Sequence, residues 1–162
     1  MKIAVCPGSF DPVTNGHIDI IHRATEMFDK VLVVVLPNTA KSHPLFTLEE
    51  RVELLKRATA EMPTVEVDVY SGLLADYARA KQATAIVKGL RAMSDFEYEF
   101  QMALTNRKLN PYVETVFLTT TAEHQYLSSS LVKQIAALGG DISDFVPACI
   151  LPDIIQKIRK DA

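Results

Sequence analysis

The sequence has little of what membrane, secreted or redox-active proteins require. It contains two cysteines, Cys6 and Cys149, which form no CxxC pair and lie in apolar runs, so both are predicted to be buried, reduced thiols. The longest apolar run, Val31 to Leu36, is far shorter than the roughly 20 residues that span a bilayer. With one lysine and a short apolar run at the N-terminus, no signal peptide is expected. These absences favour a cytoplasmic protein.

The sequence also lacks the basic excess that is usual in nucleic-acid-binding domains. Its formal net charge is −3 and its pI about 5.8, which argues against nucleic acid as the main partner. No set of histidines and cysteines has zinc-ligand spacing, so a structural metal is not expected. The 162 residues contain no linker-like stretch, and we predict one domain over residues 1–162.

Short apolar or alternating segments predict strands, and amphipathic segments predict helices between and after them. The predicted strands are Ile3–Cys6, Val31–Leu36, Val65–Val69, Ala85–Val87 and Val116–Leu118; the helices lie near residues 20–28, 47–58, 73–81, 95–109, 128–138 and 154–158. This alternation predicts a Rossmann-like α/β fold with a doubly wound, five-stranded, mainly parallel sheet and helices on both faces.

In sheets of this kind ligands bind beyond the carboxyl ends of the strands. Four polar segments each follow a predicted strand, and we therefore expect them to lie together. They are Pro7 to His17, Asn38 to Lys41, Lys88 to Arg91, and Thr119 to Ser130.

The first of these segments, Pro7 to His17, leaves a strand and enters a helix. It matches neither GxxxxGK[ST] nor GxGxxG, so it is not a P-loop or a dinucleotide fingerprint. His17 stands at the start of the helix, where unpaired N–H groups and the helix dipole favour phosphate. The alternative is that His17 only caps or packs the helix, but its setting after Thr14 and Gly16 favours phosphate binding.

Ser128, Ser129 and Ser130 precede another predicted helix. One serine is explained by an N-cap, but three in succession favour an anion site. Lys41 and Lys88 each follow a strand, and each has a simpler interpretation as solvated surface.

These motifs resemble a known enzyme family. Pro7 to Pro12 together with Thr14-Asn15-Gly16-His17 resembles the T/HxGH signature of the nucleotidyltransferase superfamily. Lys88 to Arg91, Asp95 to Glu99 and Ser128 to Lys133 resemble the later motifs of the bacterial phosphopantetheine adenylyltransferases, over nearly the whole chain.

The resemblance implies adenylyl transfer from ATP to 4′-phosphopantetheine, giving dephospho-coenzyme A and pyrophosphate. The nucleophile is itself a phosphate with a second pKa near 6, so no general base is needed. Catalysis then depends on alignment and on neutralising charge at the α-phosphorus. Mg²⁺ would arrive bound to ATP, so no ligand from a protein side chain is expected.

By the same resemblance, the catalytic residues are His17, as transition-state stabiliser, Lys41, Lys88 and Arg91. The implied ATP-binding residues are Ser9, Phe10, His17, Gly89, Leu90, Arg91, Glu99, His124, Gln125, Tyr126, Leu127, Ser128, Ser129 and Ser130. The implied acceptor-binding residues are Ser9, Lys41, Leu73, Leu74, Lys88, Met102 and Asn106. For Leu73 and Leu74 ordinary helix core is an equal alternative, and Glu99 has the alternative of a solvated carboxylate.

The sequence departs from its relatives at two places. Lys88 stands where many have arginine. The lysine keeps the positive charge but lacks the bidentate fork of a guanidinium. The segment Asn38 to Phe46 is one residue longer than in several relatives, which affects the register of Lys41. The family also implies a homohexamer and feedback by coenzyme A. Alternatives are a nucleotidyltransferase acting on nicotinate mononucleotide or another acceptor, a cytidylyltransferase, or a non-catalytic adenine-nucleotide-binding module.

Overall fold

The computed structural model describes residues 1–37 and 43–161, without the side chains of Met93 and Ser94. Its strands are β1 (Ile3–Gly8), β2 (Lys30–Val35), β3 (Val65–Val69), β4 (Ala85–Leu90) and β5 (Glu114–Thr119). Its α-helices are α1 (Asn15–Met27), α2 (Leu48–Ala58), α3 (Leu74–Ala80), α4 (Met93–Leu109), α5 (Ser129–Ala137) and α6 (Leu151–Asp161), with short 3-10 turns at Ala122–His124 and Ala148–Ile150.

The five strands form one sheet in the order β3-β2-β1-β4-β5, and every neighbouring pair is parallel. The chain therefore winds outward from β1 in one direction and then from β4 in the other. This confirms the predicted doubly wound sheet.

Side chains that alternate along the central strands build two separate cores. Ala4 and Cys6 of β1 face a large cluster that contains residues of α1, α2, α5 and α6. Val5 between them faces a smaller cluster that contains Tyr77 and Ala78 of α3. Because successive strand residues point to opposite faces, burial of both sets requires helices on both faces, as predicted.

The two central strands separate towards their carboxyl ends. β1 pairs with β4 only at Ala4↔Ala85 and Val5↔Ile86. Both strands continue, but with their outer neighbours: β1 pairs with β2 as far as Gly8↔Val35, and β4 with β5 as far as Leu90↔Thr119. A crevice therefore opens between β1 and β4, at the point where the winding direction reverses.

Helix α4 leaves part of its apolar surface uncovered. Phe96, Phe100 and Leu104 recur every fourth residue on one face of the helix, and they are 41%, 47% and 57% exposed. In the described part of the chain, no helix combines the length and apolar character that crossing a membrane would need.

Cys6 is buried as predicted, whereas the prediction for Cys149 was wrong, because this thiol is exposed beside the start of α6.

Candidate active site

A cavity of about 300 Å³ lies where β1 and β4 separate. It brings together three of the four predicted polar segments, and among the described residues that line it none is acidic. Its lining residues are Cys6, Pro7, Ser9, Phe10, Thr14, Gly16, His17, Ile20, Ile21, Val87, Lys88, Gly89, Arg91, Thr120, His124, Leu127, Ser128, Ser129 and Ser130. The apolar floor and basic walls suit an organic phosphate.

His17 both caps α1 and faces the cavity. The Thr14 side chain accepts a hydrogen bond from the His17 backbone N–H at 3.4 Å, and the Thr14 backbone N–H donates to Nδ1 of His17 at 3.0 Å. Such a reciprocal pair is a capping box. Because Nδ1 accepts, the proton of the neutral ring is on Nε2. The capping and phosphate-binding interpretations are therefore compatible, since each uses a different ring nitrogen.

The surroundings keep the His17 ring neutral. Burial, followed by the positive charge of Arg91, lowers the pKa of His17 from 6.5 to about 4. The Phe10 ring packs edge-on against it, with ring centroids 5.0 Å apart. His17 therefore offers a neutral Nε2–H donor near pH 7 and does not act as an imidazolium there.

The turn after β1 depends on Phe10. Phe10 has a φ of 48°, which is uncommon outside glycine, and its side chain is only 4% exposed. A Cβ atom added at Gly8 would lie 2.9 Å from the Phe10 ring, so Gly8 is needed for this close packing. The space beside Gly8 is thus occupied by the Phe10 ring.

Lys88 lines the cavity and forms an ion pair with Glu99, which lies outside the cavity lining. Its Nζ lies 2.7 Å from Oε2 of Glu99 on α4, and the two side chains are 28% and 17% exposed. The contact has ion-pair distance but not hydrogen-bond angles, so Oε2 lacks a donor among the described residues. Lys88 is therefore not solvated surface, and Glu99 is not a solvated helix carboxylate.

Arg91 lines the cavity and is held there by two contacts. Nη1 donates to the Leu127 carbonyl oxygen at 2.9 Å, and Nε lies 3.5 Å from an Asp95 carboxylate oxygen. The first contact joins the turn after β4 to the segment that leads into α5.

The three serines at the start of α5 have different contacts. Ser128 is the N-cap, and its hydroxyl accepts from the Leu131 N–H at 3.1 Å. The Ser129 hydroxyl donates to the Pro12 carbonyl at 2.7 Å, which ties α5 to the first loop. All three residues line the cavity, so the start of α5 faces it, and the Ser128 and Ser129 hydroxyls already take part in contacts within the protein.

The structure leaves several predicted site residues outside the cavity lining. Lys41 lies outside the described residues. The described site residues that do not line the cavity are Leu90, Glu99, Gln125, Tyr126, Leu73, Leu74, Met102 and Asn106. Leu73, the N-cap of α3, is 56% exposed, whereas Leu74 packs on the smaller core and Asn106 is buried.

Sequence patterns did not identify two buried charged residues beside the first loop. The Asp11 carboxylate accepts from the Leu45 and Phe46 N–H groups at 2.9 and 2.8 Å and lies 3.4 Å from Nζ of Lys133. Arg51 is 5% exposed and donates to the Ser9 carbonyl. Only their long-range partners reveal these residues, since a lone charge within a helix or loop is usually solvated.

In the described part of the chain, no group of three or more His, Cys, Asp or Glu side chains could hold a metal ion. The acidic side chains nearest the cavity already have basic partners, because Asp11 contacts Lys133 and Glu99 contacts Lys88. The donor set therefore suits a phosphate ligand.

Comparison with known proteins gives a consistent result. The cytidylyltransferase-like family model matches residues 5–135. The chain is 58% identical over 160 residues to a phosphopantetheine adenylyltransferase of Caldanaerobacter subterraneus subsp. tengcongensis, covering 99% of both chains. It is 58% identical over 157 residues to one of Alkaliphilus metalliredigens, covering 97% of this chain and 99% of the relative.

Solved structures show the same fold at low identity. A putative nicotinate-nucleotide adenylyltransferase of Vibrio parahaemolyticus superimposes with a TM-score of 0.71 at 16% identity, over 100% of this chain and 98% of that one. A nicotinic acid mononucleotide adenylyltransferase of Plasmodium falciparum complexed with NaAD gives a TM-score of 0.66 at 15% identity, over 99% and 95%.

Proposed function

This chain belongs to the phosphopantetheine adenylyltransferase family, and on that premise we propose that the cavity between β1 and β4 is its active site. The enzyme transfers an adenylyl group from ATP to 4′-phosphopantetheine, giving dephospho-coenzyme A and pyrophosphate in coenzyme A biosynthesis. The observation that carries the assignment of the site is the Nε2–H of His17, held by the Thr14 capping box in a cavity with basic walls.

In the proposed mechanism, a phosphate oxygen of 4′-phosphopantetheine attacks the α-phosphorus of ATP in line with the leaving pyrophosphate. The new P–O bond forms as the bond to the β-phosphate oxygen breaks, and pyrophosphate leaves with that electron pair. The acceptor phosphate is largely dianionic at neutral pH, so no base is required. Nε2–H of His17 donates to the α-phosphate, where charge builds up, and Lys88 and Arg91 add positive charge.

The two substrates are proposed to use different parts of the site. ATP uses the end of β4 with the residue after it, one residue of α4, the segment that leads into α5, and the first loop. These residues are Gly89, Leu90, Arg91, Glu99, His124, Gln125, Tyr126, Leu127, Ser128, Ser129, Ser130, Ser9, Phe10 and His17. The acceptor phosphate uses Ser9, Lys41 and Lys88. The pantetheine arm uses Leu73, Leu74, Met102 and Asn106, and the contact between α3 and α4 supports this grouping.

Mg²⁺ is proposed to enter with ATP, coordinated by phosphate oxygens and water. When bound, it would neutralise phosphate charge. The pairing of Asp11 and Glu99 with lysines supports a metal held by the nucleotide, without protein carboxylates.

The reaction is tested by incubating the protein with ATP, Mg²⁺ and one acceptor at a time, while pyrophosphate release is measured. We expect release with 4′-phosphopantetheine and none with nicotinate mononucleotide. The opposite pattern would refute the acceptor assignment. ATP binding without pyrophosphate release with either acceptor would indicate a non-catalytic nucleotide-binding module.

We also propose that the chain assembles as a homohexamer. The exposed apolar face of α4, formed by Phe96, Phe100 and Leu104, supports an association surface. Analytical ultracentrifugation would measure the mass of the assembly. A monomer at micromolar concentration would contradict this proposal.

Coenzyme A is proposed to act as a feedback inhibitor of this enzyme. The cytoplasm is proposed as the location of the protein in the cell. Coenzyme A carries the same pantetheine arm and phosphates as the product, so it would compete for the same cavity. Inhibition assays that vary 4′-phosphopantetheine would test the first proposal. Cell fractionation would test the second.

A further inference from the structure

Arg51 of α2 is a buried cation beside the first loop. Its residue is 5% exposed, which is rare for arginine without an ionic partner. Among the described residues, its acceptors are all backbone carbonyl oxygens: Ser9 at 3.0 Å from Nη1, and Phe46 and Thr47 at 3.1 and 3.4 Å from Nε. No described carboxylate lies within ion-pair distance of its guanidinium.

The contact with Ser9 controls a peptide group of the cavity wall. A trans peptide is planar and directs its C=O and N–H to opposite sides, so holding the Ser9 carbonyl also sets the direction of the Phe10 N–H. Phe10 adopts a φ of 48°, which a non-glycine residue keeps only when its surroundings enforce it. The Phe10 N–H has no acceptor among the described residues, and Ser9 and Phe10 both line the cavity.

Arg51 also ties this turn to the segment before α2. Nε donates to the Phe46 carbonyl, while the Asp11 carboxylate accepts from the Phe46 N–H at 2.8 Å. The first loop and the segment before α2 are thus joined through both the N–H and the C=O of Phe46. A lysine cannot replace Arg51 in this arrangement, because the two carbonyls are reached by nitrogens in different positions of a rigid guanidinium.

We propose that Arg51 is a positioning residue for adenylyl transfer. It orients the Ser9–Phe10 peptide so that the Phe10 N–H is presented to a substrate phosphate. Arg51 does not line the cavity itself, and it acts through Ser9 and Phe46. This inference rests on the proposed location of the active site.

Arg51→Lys and Arg51→Met test the inference, with Arg57→Gln as the matched control. Arg57 lies on the same helix, is exposed and pairs with Asp153 at 2.9 Å. We expect kcat to fall about 10- to 100-fold in both Arg51 variants, as for misplacement of a reacting group. The control should keep the activity of the unaltered protein. Folded Arg51 variants that keep their kcat would overturn the inference.

A second measurement separates positioning from stability. Inorganic pyrophosphate is titrated into ¹⁵N-labelled protein, and the Phe10 amide resonance is followed. We expect it to shift in the unaltered protein and to respond much less in folded Arg51→Lys. An unresponsive Phe10 amide in the unaltered protein would overturn the inference even if both variants fail to fold.

These outcomes are distinct from failure of the proposed function. If the unaltered protein does not adenylylate 4′-phosphopantetheine, the reaction assignment fails, whereas the Phe10 titration is still decisive for Arg51.

Discussion

Nζ of Lys88 lies 2.7 Å from Oε2 of Glu99, so the cation in the cavity wall is held by a carboxylate of α4. Lys88 lines the cavity and Glu99 does not. The carboxylate therefore contacts Lys88 from outside the cavity lining, where it can orient the ammonium group.

Lys88→Met should weaken binding of 4′-phosphopantetheine, because one charge-assisted contact is lost. Such contacts contribute about 1.5–3 kcal/mol, so we expect KM for the acceptor to rise about 10- to 100-fold with little change in KM for ATP. Steady-state kinetics with each substrate varied would measure this. Lys88→Arg, which keeps the charge, should lose much less.

Lys88→Met also leaves Glu99 without its cation, so its stability must be measured separately. The double variant Lys88→Met/Glu99→Gln should recover stability in chemical denaturation but not acceptor binding. Recovery of acceptor binding in the double variant would show that Lys88 does not contact the acceptor.

His17→Ala should lower kcat roughly 10²- to 10³-fold, by analogy with loss of one transition-state donor, while ATP affinity changes little. The variant also loses one half of the capping box, because the Thr14 N–H no longer has the Nδ1 acceptor, while the Thr14 hydroxyl still accepts from the backbone N–H of residue 17. His17→Gln separates these effects, because glutamine in this position can still accept from the Thr14 N–H. We expect His17→Gln to be the more stable variant but equally slow. Normal turnover in either variant would exclude the role given to His17.

The pH dependence follows from the lowered pKa of His17, about 4. The ring should remain neutral above pH 5, and the acid limb of kcat/KM for the acceptor should lie near 6, where the acceptor phosphate titrates. NMR titration of the His17 ring would measure its pKa. Arg91→Met should raise that pKa, since Arg91 is its second cause after burial. A His17 pKa near 6.5 in the unaltered protein would contradict this prediction.

The same shift predicts a loss of stability in acid. Between pH 6.5 and about 4 the unfolded chain binds a proton at His17 that the folded protein does not bind. The free energy of unfolding should therefore fall as the pH falls through this window. His17→Gln should lack this part of the pH dependence in denaturation curves at each pH.

Thr14→Val should destabilise α1 by about 0.5–2 kcal/mol, the usual effect of losing an N-cap side chain. The Thr14 hydroxyl accepts from His17 N and lies 3.2 Å from Nδ1. We also expect a lower kcat, because the His17 ring is less firmly oriented. Thr14→Ser keeps the hydroxyl and should retain both stability and kcat; a Ser variant as impaired as the Val variant would argue against the capping role.

Local patterns predicted most of the elements, because helix and strand periodicity arise from neighbouring residues. The predicted helix 95–109 corresponds to α4, Met93–Leu109, and the segment Val31–Leu36 to β2, Lys30–Val35. Gly139, with a φ of 81°, follows the end of α5 where the sequence predicted a stop. The error concerns environment: Cys149 lies in an apolar run but is exposed, because the burial of one residue depends on how distant elements pack around it.

The sequence by itself determined the order of strands and helices, the motif around His17 and the chemical types gathered at the strand ends, because each of these depends on short-range spacing. Only the tertiary structure decided how they act together. The opening between β1 and β4, the Lys88–Glu99 pair and the reach of Arg51 to Ser9, 42 residues earlier, join segments that are distant in the chain. Such contacts depend on how the helices pack against the sheet, which no local pattern specifies.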